Sequence, residues 1–194
     1  MATGTVTMDQ TVFQHFQNHI QTTMAMGEGC AEKISNAAEK LTTALLAGQT
    51  IYSCGLEDSA SLSQLLVNYL TSGYQIERPG FPAVDLQTIA NNAKDDECFS
   101  RPLHIHGQSA DILMLFSIGG NNPILKKAID SAVAKGMLVI LLSTADDNLL
   151  SEGLGHNDIE IPTAEYGRQF STTAGFLTIQ CLCTLIDNKI FGGD

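Results

Sequence analysis

Ile112-Leu113-Met114-Leu115-Phe116-Ser117-Ile118-Gly119-Gly120-Asn121-Asn122-Pro123 runs from an apolar stretch through two glycines to a proline. The span Ile112–Ile118 is almost unbroken apolar, the pattern of a strand buried on both faces of a parallel sheet. The glycines and asparagines then turn the chain into a helix predicted over Pro123–Lys135, with Pro123 well placed in its first turn. A glycine-rich turn after a buried strand exposes backbone N–H groups at a helix N-terminus. Serine and asparagine side chains add donors, which together make an anion or phosphate site. The same turn also serves a plain strand-to-helix connection that needs glycine geometry.

Working outward, the same alternation continues. Ile51–Cys54 reads as a short strand, Gly55–Asp58 as a turn, and Ser59 as the cap of a helix over Ala60–Leu70. Ala83–Leu86, Leu138–Leu142 and Ile159–Ile161 are further strands, the last stopped by Pro162, and a long helix fills Ser171–Ile190. Before the first strand, Phe13, Phe16, Ile20 and Met24 and then Ile34, Ala38, Leu41 and Leu45 recur at helical spacing. Gly27 and Gly29 divide them into two helices and Gly48 ends the second. Strands alternating with helices predict an α/β fold with a parallel sheet flanked by helices. Ligands in such folds sit beyond the carboxyl ends of the strands, here Gly55–Ser59, Ser117–Asn122 and Ser143–Asp147. The chain reads as one domain over 1–194, a helical pair at 1–48 followed by an α/β core at 49–194.

Composition narrows the function classes. The 194 residues are 44% hydrophobic and 16% charged, enough to bury a large core. A net charge of -11 repels the phosphate backbone and anionic membranes, so neither nucleic acid nor membrane is expected as a direct partner. Met1–Gln10 has neither the basic segment nor the apolar run of a secretion signal. The five cysteines form no zinc-type CxxC pair, and Cys181 and Cys183 lie in an apolar run and read as core thiols. A cytoplasmic location fits these features.

Four segments carry a resemblance that covers nearly the whole chain. They are Glu77-Arg78-Pro79, Asp96-Glu97-Cys98-Phe99, Gly119-Gly120-Asn121 through Lys135-Gly136-Met137, and Cys181-Leu182-Cys183-Thr184-Leu185-Ile186-Asp187-Asn188. With these the chain resembles the SIS (sugar isomerase) family, in the branch of phosphoheptose isomerases (GmhA) and DnaA initiator-associating proteins (DiaA). The last segment looks closest to the DiaA type. The resemblance implies a three-layer, flavodoxin-like SIS fold, self-association as a homotetramer or homodimer, and either a phosphosugar or the replication initiator DnaA as partner.

The departures from the family pattern matter as much. The family's first loop is a G-N-G-G-S type turn, where this chain reads Gly55-Leu56-Glu57-Asp58-Ser59. Two carboxylates there oppose a phosphate, although they suit a helix N-terminus. In the second loop Ser117, Gly120 and Asn121 remain of a serine-rich turn, and Asn122 stands in for a hydroxyl. Ser59, Ser117, Gly120, Asn121 and Asn122 are therefore the candidate phosphosugar contacts. The isomerases resemble zinc enzymes, with a His and a Glu one turn apart on the helix after the first loop. The matching positions here are Leu65 and Tyr69. The family's Q-E-x-H run at the start of the last helix corresponds to Thr172-Thr173-Ala174-Gly175. No zinc ligand or general base is left at these positions, and no catalytic residue or metal site is assigned. The chain is also shorter than its relatives between Arg78-Pro79 and Ile89-Ala90-Asn91, where a substrate-facing loop would lie, and Asp85 has no certain counterpart in that loop.

The remaining titratable groups do not rebuild a site. His15 and His19, four apart, have a spacing that can bind metal but read as a polar helix face, His104 and His106 as one side of a solvated strand, and His156 as a turn residue. Glu97 is one acid without a partner. Ile190-Phe191, beside Gly192-Gly193, matches the terminal apolar pair of DiaA-like chains and is the candidate partner contact. It serves equally as a cap on the chain's own core. The leading reading is a non-catalytic, DiaA-like oligomer that binds a protein. The alternatives are a sedoheptulose 7-phosphate isomerase and a phosphosugar sensor.

Overall fold

Five parallel strands lie in the order β2-β1-β3-β4-β5: β1 (Ile51–Gly55), β2 (Ala83–Asp85), β3 (Ile112–Phe116), β4 (Leu138–Ser143) and β5 (Ile159–Pro162). The computed structural model describes residues 7–90, 95–144, 147–163 and 168–192, without the side chains at 168 and 169. Residues 1–6, Asn91, 145–146 and Gly193, which enter the readings above, lie outside the described residues. Side chains alternate across each strand. Ile51, Ile112, Met114, Phe116, Ile140, Leu142 and Ile161 face one core, and Tyr52, Cys54, Leu113, Leu115, Val139 and Leu141 face the other. Both faces are covered, which is why Ile112–Phe116 shows no polar residue.

The first core is closed by three helices: α1 (Met8–Leu46), α2 (Ser59–Ser72) and α7 (Arg168–Asp187). The second is closed by α3 (Leu86–Ile89), α4 (Ser100–His106), α5 (Pro123–Ala134) and α6 (Asn148–Ser151). This is the three-layer arrangement expected from the sequence, with one large correction at its start. The two predicted N-terminal helices are a single helix of 39 residues. Its N-terminus is set by a capping box, in which Thr7 accepts from the Gln10 N–H and Gln10 accepts from the Thr7 N–H. Gly27 and Gly29 do not break it. An interior glycine costs only about 1 kcal/mol against alanine. The buried stripe Met26, Cys30, Ile34, Ala37 and Leu41 stays in phase through them.

At 1.5 Å per residue α1 is about 58 Å long, longer than the sheet needs. Its C-terminal half is core. Its N-terminal half leaves Val12, Phe13, Phe16, Ile20 and Met24 exposed, Phe16 at 63%.

Smaller differences follow from local packing. His104 and His106 lie on α4 and not on a strand, and both are exposed. The long C-terminal helix begins earlier than predicted and ends at Asp187, where it widens into a π-turn (Asn188–Gly192) that carries Ile190 and Phe191. Phe170–Gly192 is apolar and long enough to cross a membrane by length and composition. Ile179, Leu182, Cys183 and Ile186 nevertheless point into the first core, so α7 is a core helix. Of the two thiols read as core, Cys183 is buried and Cys181 is exposed, because a spacing of two on a helix separates them by some 200°.

Leu41 anchors α1 to the sheet and is fully buried. Leu41→Ala should lower unfolding stability by about 2–5 kcal/mol, read from urea denaturation.

Candidate functional site

β1 and β3 are neighbours, but their onward connections leave on opposite sides of the sheet, so a crevice opens at their carboxyl ends. A cavity of about 170 Å³ lies there. Glu57, Ser59, Ser117, Gly119, Gly120 and Asn122 line it. Four of the five predicted phosphosugar contacts thus converge, and what each does there is local.

Ser59 is the first residue of α2, not its cap; Asp58 holds the cap position without a side-chain bond. The Ser59 hydroxyl is buried and closes the loop on itself, accepting from the Leu56 N–H at 2.9 Å and donating to the Leu56 carbonyl at 2.7 Å. Gly55 must be glycine here, since a Cβ would run into the Ser59 carbonyl oxygen. Ser117 is also buried. It donates to Asp147 Oδ1 at 2.7 Å and accepts from the Gly119 N–H at 3.2 Å. A hydroxyl has one proton. In both serines that proton is already given to a protein oxygen, so neither has one for a phosphate.

The asparagines are likewise engaged through their carbonyl oxygens. Asn122 caps α5 by accepting from the Ile124 N–H at 2.9 Å, with Pro123 next, as the sequence predicts. Asn121, in the left-handed region at φ 47°, accepts from the Leu149 N–H and so ties the turn to α6. It does not line the cavity. Gly119 and Gly120 have φ of 108° and 111°, which glycine tolerates best. Glu57, exposed and also at positive φ, adds its carboxylate to the rim.

Asp147 is the residue that sequence reasoning missed. It is fully buried and also accepts from the N–H and hydroxyl of Thr144 at 2.7 and 2.9 Å, joining the ends of β3 and β4. Its only signal was a place in the loop after an apolar strand.

The positions that the resemblance matches to zinc ligands carry Leu65, Tyr69 and Gly175. Leu65 and Tyr69 pack against the first core, and Tyr69 lies 4.6 Å from Tyr74, ring to ring. On α7, Gly175 stands where the resemblance places the histidine. A Cβ there would come 2.5 Å from Leu62 Cδ1 and 3.2 Å from Leu142 Cδ2. The room for that side chain is filled by core leucines. Among the described residues, no group of three or more His, Cys, Asp or Glu could hold a metal.

The other candidates are dispersed. His15 and His19 stack 4.6 Å apart on α1, and His19 meets Phe170 edge-on. Glu97 pairs with Arg101 on the surface, and Asp85 accepts from Ser63 Oγ beneath α2. Burial pushes the Cys54 thiol well up and the Cys183 thiol up to about 12, so both stay protonated and unreactive. Ile190 packs partly against the first core, whereas Phe191 remains 45% exposed.

Comparison with known proteins agrees with this architecture. A family model described as the SIS domain matches residues 14–144. The DnaA initiator-associating protein DiaA of Klebsiella pneumoniae is 34% identical over 183 residues, covering 91% of this chain and 93% of that protein. DiaA of Escherichia coli is 32% identical over 191 residues, covering 95% and 97%. Among solved structures, a phosphoheptose isomerase from Francisella tularensis superposes with a TM-score of 0.86 at 23% identity, covering 94% of this chain and 99% of that one. Phosphoheptose isomerase GmhA from Neisseria gonorrhoeae gives 0.84 at 24%, covering 94% and 100%. At such identity the structural likeness concerns the fold.

The filled space at α7 has a direct test. Gly175→His should lower stability by about 1–3 kcal/mol in urea denaturation, as overpacking does, and should bring no zinc uptake.

Proposed function

The chain belongs to the SIS-domain family, and from that premise we propose that it is a non-catalytic, DiaA-like oligomer that binds the replication initiator DnaA. The observation that carries the non-catalytic part is the close packing at Gly175, where core leucines occupy the place of the family's histidine. The engaged hydroxyls of Ser59 and Ser117 point the same way. Isomerising a phosphosugar needs a positioned base and an acid or metal, and the protein is proposed to work without zinc.

Self-association is supported by the N-terminal half of α1. Its exposed Phe13, Phe16, Ile20 and Met24 form an apolar surface. Beside it runs an apolar groove of about 380 Å³ between α1 and α7, lined by Met26, Ile34, Ala174, Leu177 and Leu185. Apolar surface of this extent fits a subunit contact. A symmetric tetramer or dimer of this kind would offer several initiator sites at once and gain by multivalency. Initiator binding is proposed by analogy with the DiaA relatives, with Ile190 and Phe191 as its contact. A phosphosugar-sensing role is the second reading, favoured by the N–H-rich turn Gly119-Gly120 at the cavity.

Surface plasmon resonance against purified DnaA from the same organism should show saturable binding. Ile190→Ala with Phe191→Ala should weaken it about tenfold or more, as loss of an apolar anchor does, while the oligomer mass is unchanged. Full affinity in that double variant would remove the contact assignment. Phe16→Glu should lower the mass measured by light scattering; an unchanged mass would place the subunit contact elsewhere. A thermal-shift titration with sedoheptulose 7-phosphate separates the second reading. A ligand at 100 times its dissociation constant would add about 2.7 kcal/mol, and no shift at millimolar sugar is the expected result.

A further inference from the structure

Phe191 is the outer end of a column that begins in a buried ion pair. Arg78 Nε donates to Asp187 Oδ1 at 2.7 Å, with the two side chains 1% and 6% exposed. The remaining guanidinium nitrogens donate to the carbonyls of Leu70, Tyr69 and Pro79 at 2.9, 3.0 and 3.2 Å. One side chain thus caps the last turn of α2 and grips the last residue of α7, 109 positions away. The face of the same guanidinium lies 4.1 Å from the ring centroid of Phe81. Phe81 in turn stacks on Phe191, with centroids 6.2 Å apart and planes at 27°.

The backbone around Phe81 is equally fixed. Its N–H donates to the Leu70 carbonyl at 2.9 Å. Gly80 passes so close to the Thr71 carbonyl that a Cβ would collide with it. The π-turn bearing Phe191 is held separately by Ile190 against the core and by Lys189 Nζ on Glu39 Oε1 at 2.9 Å.

A buried ion pair is costly unless its hydrogen bonds are completed. Here four of the arginine's five N–H groups have partners, and Asp187 Oδ2 is buried with no hydrogen-bond partner among the described residues. That residual cost sits at the base of a surface feature. Stacking engages one face of the Phe191 ring, and the residue stays 45% exposed. A ring meant only to cap the core would be turned in, as Ile190 is.

We propose that Arg78, Phe81 and Asp187 are positioning residues for partner binding: the ion pair fixes Phe81, and Phe81 holds the Phe191 ring with its free face presented to an apolar recess on the initiator. This rests on the reading above that Ile190 and Phe191 form the contact. Phe81 belongs to the recognition surface through the ring it supports.

The test uses the full chain and purified DnaA. Phe191→Ala should weaken binding about tenfold or more, the loss of an anchor. Phe81→Leu keeps apolar bulk but removes the stack, worth about 0.5–1.5 kcal/mol, so affinity should fall roughly two- to tenfold. Phe81→Tyr should restore it, and oligomer mass should not change in either variant. The chain contains no tryptophan, so Phe191→Trp gives a single reporter that needs no partner. Its fluorescence anisotropy should drop when Phe81→Leu is added and recover with Phe81→Tyr. Wild-type affinity in Phe81→Leu together with a loss in Phe191→Ala overturns the positioning role and leaves the contact intact. Wild-type affinity in Phe191→Ala overturns the contact and the proposal with it. Unchanged anisotropy in the tryptophan pair overturns the positioning role whatever the binding result. Arg78→Lys keeps the charge but loses the planar fork, and should behave as Phe81→Leu does; should it fail to fold, the Phe81 variants decide.

Discussion

α7 makes a close approach to α2 and β4 at Gly175, where a Cβ would come 2.5 Å from Leu62 Cδ1 and 3.2 Å from Leu142 Cδ2. Much else depends on that approach. It lets α7 lie against α1 and α2 in one core, with Ile179, Leu182, Cys183 and Ile186 buried. It carries Asp187 to the buried Arg78, and the π-turn that follows carries Ile190 and Phe191. It also removes the histidine position of the isomerase pattern. One close contact therefore serves the packing of a whole core layer.

The crevice at the ends of β1 and β3 tells a parallel story in hydrogen bonds. The loops keep the glycine geometry that suits an anion site. Ser59 nevertheless donates to its own loop and Ser117 to a buried Asp147. Each bond stiffens the scaffold and withdraws a donor from any ligand. Glu57 lines the same cavity of about 170 Å³.

Much of this was legible in the sequence, for physical reasons. The run Ile112–Phe116 reads as a strand buried on both faces, and Pro123 marks the start of the helix that follows, as the structure has them. Local rules failed where a tertiary partner decided the outcome. Gly27 and Gly29 look like breaks until the continuous stripe beneath them is seen to be buried on the sheet. Ser59 has the composition of a cap, but its hydroxyl finds Leu56 first. His104 and His106 show the spacing of a strand face and lie on a short helix. The Arg78–Asp187 pair and the Ser117–Asp147 bond join residues far apart in the chain. The sequence marked Arg78 and Asp187 as points of family resemblance without linking them, and it left Asp147 as the end of a loop.

The most direct test of the central claim is an isomerase assay on sedoheptulose 7-phosphate, with and without added zinc. Product formation should be indistinguishable from a protein-free control under both conditions. Zinc-dependent turnover that falls on Ser117→Ala would contradict it, and would mean that the crevice rearranges into a working site.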